Sequence, residues 1–201
     1  MRKLTYYVGA TLDGFIAAPD GAYGFFDPFL TDDFVAFMVS EFGDTLPTPA
    51  RAALGLADAS TTRFDTVLMG RGSYEPGLAA GLTSPYAHLR QIVVSRSLTT
   101  SPDPAVEVTA ADPLDLVRRL KREEGLGIYL CGGGDLAGQL LPEIDELIVK
   151  LYPVAVGSGV PLFRADFSPR TFAPAGTRAF PNGAVVLTYA KASGAPAPTA
   201  G

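Results

Sequence analysis

Three apolar segments of this sequence each end in small, hydroxyl-bearing or positively charged residues of the kind that bind phosphate groups. The first, VLMGRGSYE, places Arg71 and the hydroxyl of Ser73 directly after Gly70. Arginine grips phosphate oxygens with two parallel N–H donors, and the first N–H groups of a helix attract anions. Taken alone, this segment is equally compatible with an ordinary helix cap beside a surface arginine.

The second segment, VVSRS, offers Ser95, Arg96 and Ser97 after an apolar run. A guanidinium between two hydroxyls suits a terminal phosphate, such as the 2′-phosphate that distinguishes NADP from NAD. Serine next to arginine is common in loops, so this segment indicates a phosphate site only in combination with the other two segments.

The third segment, IYLCGGGDLAGQLL, has no side chains at residues 132 to 134, where an apolar strand pattern changes to a helical one. Backbone without Cβ atoms lets a ligand approach the N–H groups closely, and the following helix start favours a diphosphate. The segment matches neither the P-loop nor the spaced G-x-G-x-x-G fingerprint. A tight junction between strand and helix explains the glycines equally well.

The elements that must position these segments alternate along the chain. Hydrophobic patterns and capping residues predict strands over residues 4–8, 65–70, 91–97, 127–131 and 146–152. They predict helices starting at Asp32 and Asp33, from Gly72, over 112–125 and over 135–141. Asn182-Gly183 predicts the turn of a C-terminal hairpin. The alternation predicts an α/β fold with a mostly parallel sheet, whose strands' carboxyl ends share the edge where ligands bind.

Composition limits the class of function. The 201 residues suffice for one domain, predicted over 1–191 and followed by a disordered tail over 192–201. With 21 acidic and 16 basic residues, nucleic-acid binding is not expected. The single Cys131 and single His88 exclude a zinc site of Cys/His type. The absence of a signal peptide or membrane-length apolar run predicts a soluble cytoplasmic protein without a membrane partner.

The order of motifs resembles a known superfamily. ATLDGFIAAPDG, DTVLMGRGSYE, IVVSRSL, IYLCGGGDLAGQLL and DELIVKLYPVAVGSGVPLF occur in that order. This order of motifs resembles that of the dihydrofolate-reductase-like superfamily. The resemblance is strongest to stand-alone bacterial proteins related to the C-terminal reductase domain of riboflavin biosynthesis. The likeness covers roughly residues 3 to 190.

The resemblance implies a three-layer fold, with a twisted sheet of about eight strands flanked by helices. It also implies NADPH as hydride donor, a small heterocyclic substrate (a pterin or a riboflavin-pathway pyrimidine) and a homodimer. The cofactor contacts that it implies are Ala10, Ile16, Ala17, Gly70, Arg71, Ser73, Tyr74, Ser95, Arg96, Gly132, Gly133, Gly134, Asp135 and Leu136.

Reduction of a C=N or C=O bond needs a proton as well as a hydride. Dihydrofolate reductases carry a helix carboxylate followed four residues later by phenylalanine, and Asp33 and Phe37 have this spacing. Asp33 is therefore the catalytic candidate, expected half-buried beside a ring, although Asp32 and Asp33 also suit a plain helix cap. The absence of tryptophan argues against folate itself. A non-catalytic NADP-binding or regulatory protein, and a structural dimer with packing glycines, are the alternatives.

Overall fold

The structure, a computed structural model, describes residues 1–192. The described chain contains ten strands: β1 Leu4–Thr11, β2 Phe15–Ala17, β3 Phe64–Gly70, β4 Arg90–Val94, β5 Val106–Thr109, β6 Gly127–Gly132, β7 Glu146–Tyr152, β8 Val160–Pro161, β9 Phe172–Ala179 and β10 Val185–Lys191. It contains five α-helices: α1 Asp32–Phe42, α2 Thr48–Ala53, α3 Arg71–Ala79, α4 Pro113–Arg122 and α5 Gly134–Leu140. The tail predicted over 192–201 lies, apart from its first residue, outside the described residues.

Eight of the strands form one sheet in the order β5-β4-β3-β6-β1-β7-β10-β9. The first six strands in this order are parallel, and β10 pairs antiparallel with both β7 and β9. This confirms the predicted α/β fold with a mostly parallel sheet and a C-terminal hairpin. Strands β2 and β8 pair antiparallel as a separate two-stranded ribbon.

Helices cover both faces of the sheet and give three layers. On one face, here called the α1 face, Phe34, Met38 and Phe42 of α1 and Tyr74 of α3 pack into an aromatic-rich core. On the opposite face, the apolar sides of α4 and α5 pack against β1, β3 and β6. The central parallel strands β1, β3 and β6 are buried on both faces, which explains their nearly continuous apolar sequences.

Sequence signals locate several element ends correctly. Asp112 caps α4 by accepting the N–H groups of Leu114 and Asp115, both at 3.0 Å. The hairpin turns at Asn182-Gly183, where Gly183 has a φ of 85°, a region that glycine adopts without steric cost. The capping residue and the glycine each satisfy a local backbone requirement, so their positions can be predicted from sequence.

Other predicted ends differ from the structure. The strand predicted over 91–97 ends at Val94, because the Ser95 hydroxyl accepts the N–H groups of Ser97 and Leu98 and turns the chain. Helix α1 is preceded by Thr31, whose hydroxyl donates to Asp33, so neither Asp32 nor Asp33 is the cap. Helix α2 and strand β5 had no clear sequence signal, because each is short and lies on the periphery.

None of the helices within residues 1–192 is long and apolar enough to cross a membrane. A shallow cavity of about 340 Å³ lies at the amino-terminal edge of the sheet, beside Arg2, Arg63 and Glu146. This cavity is at the opposite end of the strands from the three predicted phosphate-binding segments. It therefore plays no part in the candidate site.

Candidate functional site

The three segments predicted to bind phosphate meet at one edge of the sheet. They follow β4, β3 and β6, which are adjacent and parallel, so their carboxyl ends lie side by side. A Cβ built on Gly70 would lie 3.5 Å from the Gly132 carbonyl oxygen and 3.7 Å from the Gly133 nitrogen. The end of β3 therefore contacts the glycine run directly, as the topology rule for parallel sheets predicts.

The three glycines of the run have different roles. Gly132 has a φ of 116°, which disfavours any residue with a Cβ, and its peptide bond to Gly133 is cis. A Cβ on Gly134 would overlap the carbonyl oxygen of Pro161 in β8, so this glycine is required by packing. A Cβ on Gly133 would meet nothing closer than 3.9 Å. Gly133 therefore has the open backbone that a ligand can approach, whereas Gly134 serves the fold.

Gly133 brings three of the predicted residues together. A Cβ placed there would lie 3.9 Å from Ser73 Oγ of α3 and 4.0 Å from Ile16 Cδ1 of β2. These residues come from three segments that are distant in sequence. A hydroxyl, an open peptide backbone and an apolar side chain thus line one position at the carboxyl edge of the sheet.

Two arginines flank this position on the side of β4. Arg71 begins α3 and donates to the Ser97 hydroxyl at 3.0 Å, and its Nε lies 3.4 Å from the Glu75 carboxylate. Arg96 is exposed and has no ion-pair partner within residues 1–192. Ser95 is buried, and its hydroxyl holds the turn that presents Arg96. Arg96 is therefore available to an external anion, while Ser95 positions it.

Four of the predicted residues lie away from a ligand-accessible surface. Tyr74 is fully buried, and its hydroxyl contacts the Thr83 carbonyl oxygen at 2.5 Å and Ser101 Oγ at 2.7 Å. Ala10, Ala17 and Leu136 are also buried, so their side chains pack in the core behind the candidate site. Tyr74 is a core residue, because both its ring and its hydroxyl are occupied by the protein.

The carboxylates of Asp33 and Asp135 both face solvent. Asp33 is exposed and accepts the Thr31 hydroxyl at 2.6 Å. The half-buried environment expected for a proton donor at Asp33 is absent. Asp135 is exposed and lies 3.2 Å from Arg164 Nη1. The phenylalanines near Asp33 pack on Tyr152 and Phe180, so core packing accounts for them.

Sequence reasoning missed the role of Asp13 in the loop between β1 and β2. Its carboxylate accepts the Thr11 hydroxyl at 2.5 Å and the Gly157 N–H at 2.6 Å. These hydrogen bonds lower the pKa of Asp13 below its ordinary value. The loop that leads into β2, the strand of Ile16, is thereby fixed to the segment before β8, and the pairing of β2 with β8 completes this connection.

A second residue missed in the sequence is Lys150, which lies in the apolar strand β7. Its Nζ is 4.3 Å from the centre of the Tyr7 ring on the α1 face. Burial lowers its pKa from 10.5 to about 8, partly offset by the neighbouring Cys131. A charged residue inside the run LIVKLY was the available sequence signal, because strands buried on both faces rarely contain lysine.

The sheet topology and the carboxyl-edge site define a dihydrofolate-reductase-like α/β protein, and comparison with known proteins gives the family. The model of the RibD C-terminal domain matches residues 2–186, so the chain belongs to this family. The chain is 31% identical over 193 residues to the uncharacterized protein YwjB of Bacillus subtilis (strain 168), covering 95% of this chain and 99% of that protein.

Two solved structures show the same fold at low sequence identity. One is the diaminohydroxyphosphoribosylaminopyrimidine deaminase/5-amino-6-(5-phosphoribosylamino)uracil reductase of Thermotoga maritima. It has a TM-score of 0.64 and 16% identity, over 95% of this chain and 57% of that one. The other is the dihydrofolate reductase of Enterococcus faecalis complexed with NADP(H), with a TM-score of 0.62 and 16% identity over 94% of this chain and 96% of that one. The chain thus has a reductase-type fold.

Proposed function

We propose that this protein is an NADPH-dependent reductase that transfers hydride to a small heterocycle. The observation that carries the proposal is the meeting of Gly133, Ser73 and Ile16 at the carboxyl edge of the sheet, beside an exposed Arg96. Membership in the RibD C-terminal domain family, and a structural neighbour complexed with NADP(H), support the same conclusion.

The residues at this edge fit a dinucleotide phosphate. The open backbone at Gly133 and the N–H groups that begin α3 suit a diphosphate, and Ser73 adds a hydroxyl. Arg96 and Arg71 provide the fixed positive charge that a 2′-phosphate needs. Gly70, Gly132, Gly134, Asp135 and Leu136 would form the supporting wall, while Ser95 holds the turn of Arg96.

When bound, reduced nicotinamide supplies hydride chemistry that no side chain of this protein provides. The work of the protein is to hold and orient the reactants and to exclude water. Ile16 offers an apolar side chain suited to a nicotinamide ring, and the buried Ala10 and Ala17 lie in the wall behind it. The Asp13 hydrogen bonds fix the loop that leads to Ile16, so the position of Ile16 is preorganised.

The names of the two solved neighbours support the proposed substrate class. The two solved neighbours are named for a dihydrofolate and for an aminouracil, both of which are flat nitrogen heterocycles. The aromatic rings beneath α1, including Tyr7, Phe26 and Tyr152, are buried core and add nothing to the substrate class. We include the homodimer in the proposal, and light scattering of the purified protein tests it.

A thermal-shift titration with NADPH and NADH tests the cofactor. A ligand that binds only the folded state adds about 2.7 kcal/mol of stability at a hundredfold excess over its dissociation constant. We expect NADPH to stabilise the parent protein more than NADH does. We expect Arg96→Ala to lose that preference.

Arg119→Ala is the matched control, because Arg119 is an exposed arginine of α4 outside the site. It should respond to NADPH as the parent protein does. If neither nucleotide stabilises the protein, the proposed reductase function is refuted, and the glycines are then explained by packing alone. Binding of NADPH without turnover of any pterin or aminouracil would favour the non-catalytic NADP-binding alternative.

A further inference from the structure

The only histidine of the chain, His88, joins two segments that are distant in sequence. It is partly exposed and lies two residues before β4, and its ring contacts the segment 44–48, which ends at the first residue of α2. Its Nε2 lies 2.9 Å from the Asp44 carbonyl oxygen, and its Nδ1 lies 3.2 Å from Thr48 Oγ1. Both ring nitrogens have a partner, so a change in protonation of the ring changes a contact between the two segments.

The surrounding hydrogen bonds determine which ring nitrogen carries the proton. A carbonyl oxygen only accepts, so Nε2 carries a hydrogen and donates it to Asp44. Thr48 Oγ1 already accepts the Ala87 N–H at 2.8 Å, and its own hydrogen can be donated to Nδ1. The neutral ring with its hydrogen on Nε2 therefore satisfies both contacts.

Protonation of Nδ1 disrupts this arrangement. The charged ring presents an N–H to the Thr48 hydroxyl, which must then turn its own hydrogen away. The hydrogen bond that the hydroxyl donates to the neutral ring is lost. Besides the two ring contacts, the Thr48 N–H donates to the Pro85 carbonyl oxygen at 2.7 Å and the Ala87 N–H donates to Thr48. The ring thus makes two of these four hydrogen bonds between the segments.

The charged groups that face His88 favour the neutral ring. Burial lowers the pKa of His88 below its ordinary value of 6.5, the hydrogen bond to the Asp44 carbonyl offsets part of this, and the Arg51 guanidinium adds to it. The Asp44 carboxylate also opposes the shift, but it accepts the N–H groups of residues 62–64 and lies 3.6 Å from Arg51. The Tyr86 ring, centred 6.3 Å from that of His88, is neutral, because burial raises the pKa of its phenol well above the ordinary value.

We propose that His88 forms a pH-sensitive contact that holds the segment 44–48, with the start of α2, against the segment 85–88 and releases it when the ring takes up a proton. His88 precedes the amino end of β4, so this contact is separate from the carboxyl-edge site and does not depend on the proposed reductase function. The open form binds the proton more readily than the closed form. The contact is therefore fully formed above pH 6.5 and weakens as pH falls from there through the lower folded pKa.

Two measurements on the parent protein and on His88→Gln test this proposal. NMR titration of the imidazole from pH 8 to pH 4 gives the pKa of His88 directly, because no other histidine is present. Hydrogen exchange at pH 5 and pH 7.5 gives the opening of the Thr48 and Ala87 amides, which donate across the contact. Glutamine keeps a side-chain N–H that can be donated to the Asp44 carbonyl oxygen, and it does not titrate.

The Leu116 amide is the internal reference for hydrogen exchange. It donates to the Asp112 carbonyl oxygen in the first turn of α4, away from the His88 contact. Its opening should be the same at both pH values in the parent protein and in the variant.

We expect His88 to titrate below 6.5 in the parent protein. After correction for the intrinsic exchange rate, the Thr48 and Ala87 amides should open at least about threefold more often at pH 5 than at pH 7.5. In His88→Gln, opening should be equal at both pH values. A ring titration at or above 6.5, equal opening at both pH values in the parent protein, or the same pH dependence in His88→Gln would overturn the proposal.

The parent protein decides alone if His88→Gln does not fold. Opening that rises below pH 6.5 and levels off below the measured pKa of His88 supports the proposal. Any other profile of opening against pH overturns it.

Discussion

The Asp13 carboxylate accepts the Gly157 N–H at 2.6 Å, across 144 positions of sequence. A second hydrogen bond, from the Val156 N–H at 3.0 Å, reaches the same carboxylate oxygen. These contacts join the loop after β1 to the segment before β8, and the loop carries Ile16 toward the glycine run. The shape of the candidate site therefore depends on a residue that makes no contact with the glycines themselves.

We predict that Asp13→Ala frees this loop. At pH 7, hydrogen exchange of the Gly157 amide should become roughly tenfold faster, because an exposed amide exchanges through local opening. Asp58→Ala, which removes an exposed carboxylate outside the site, should leave that rate unchanged. Unaltered protection of Gly157 in Asp13→Ala would show that the strand pair β2–β8 alone holds the loop.

The same contact has a defined pH dependence. The pKa of Asp13 is lowered in the folded state by hydrogen bonds from Thr11 and Gly157. Its stabilising contribution is therefore complete above the unfolded value of about 3.9 and is lost as pH falls through the lower folded value. Protection of Gly157 measured from pH 7 to pH 2 should fall in the parent protein within that acidic range. In Asp13→Asn, protection should show no step there.

A pair of neighbouring glycine substitutions separates packing from ligand approach. Gly134→Ala should destabilise the protein by about 1–3 kcal/mol, because its Cβ overlaps the Pro161 carbonyl oxygen. Gly133→Ala should change stability by less than about 1 kcal/mol, since the space around it is open. Instead, Gly133→Ala should weaken NADPH binding at least tenfold. Denaturant unfolding and nucleotide titration measure the two effects, and tight NADPH binding by Gly133→Ala would remove Gly133 from the proposed pocket.

The charged form of Lys150 destabilises the folded state, whereas the charged form of Asp13 stabilises it. Its folded pKa of about 8 lies below the ordinary 10.5, so the unfolded chain binds more protons between these values and stability rises with pH there. Lys150→Met should therefore be more stable than the parent protein at pH 7, by up to about 3 kcal/mol. Partial exposure of Lys150 reduces that gain. Urea unfolding at pH 7 and pH 10 measures the difference in the free energy of unfolding between Lys150→Met and the parent protein. This difference should be smaller at pH 10, and an equal difference at both pH values would contradict a lowered pKa of Lys150.

Tyr74→Phe tests the assignment of Tyr74 to the core. The change removes hydrogen bonds to the Thr83 carbonyl and to Ser101, so we expect a loss of about 1 kcal/mol of stability. NADPH affinity should stay unchanged, because the hydroxyl lies within the protein. A loss of NADPH affinity without a loss of stability would contradict this assignment and indicate that Tyr74 contacts the cofactor.

Sequence alone determined the α/β fold class, the C-terminal hairpin and the placement of three predicted phosphate-binding segments at one edge of the sheet. These features depend on local patterns: apolar runs, the Asp112 cap and the Asn182-Gly183 turn each act within a few residues. The relation to the C-terminal domain of riboflavin biosynthesis was predicted from the order of the motifs. The match to the RibD C-terminal domain model confirmed that prediction independently of the geometry.

The tertiary structure decided which residues of those motifs lie at an open surface and which serve the core. Gly133 and Gly134 are indistinguishable in sequence, and only the approach of β8 gives them different roles. Tyr74 and Asp33 matched their motifs, but Tyr74 is buried and Asp33 is exposed. The contacts of Asp13 and the burial of Lys150 likewise arise from segments distant in the chain, and such long-range packing leaves no local pattern to read.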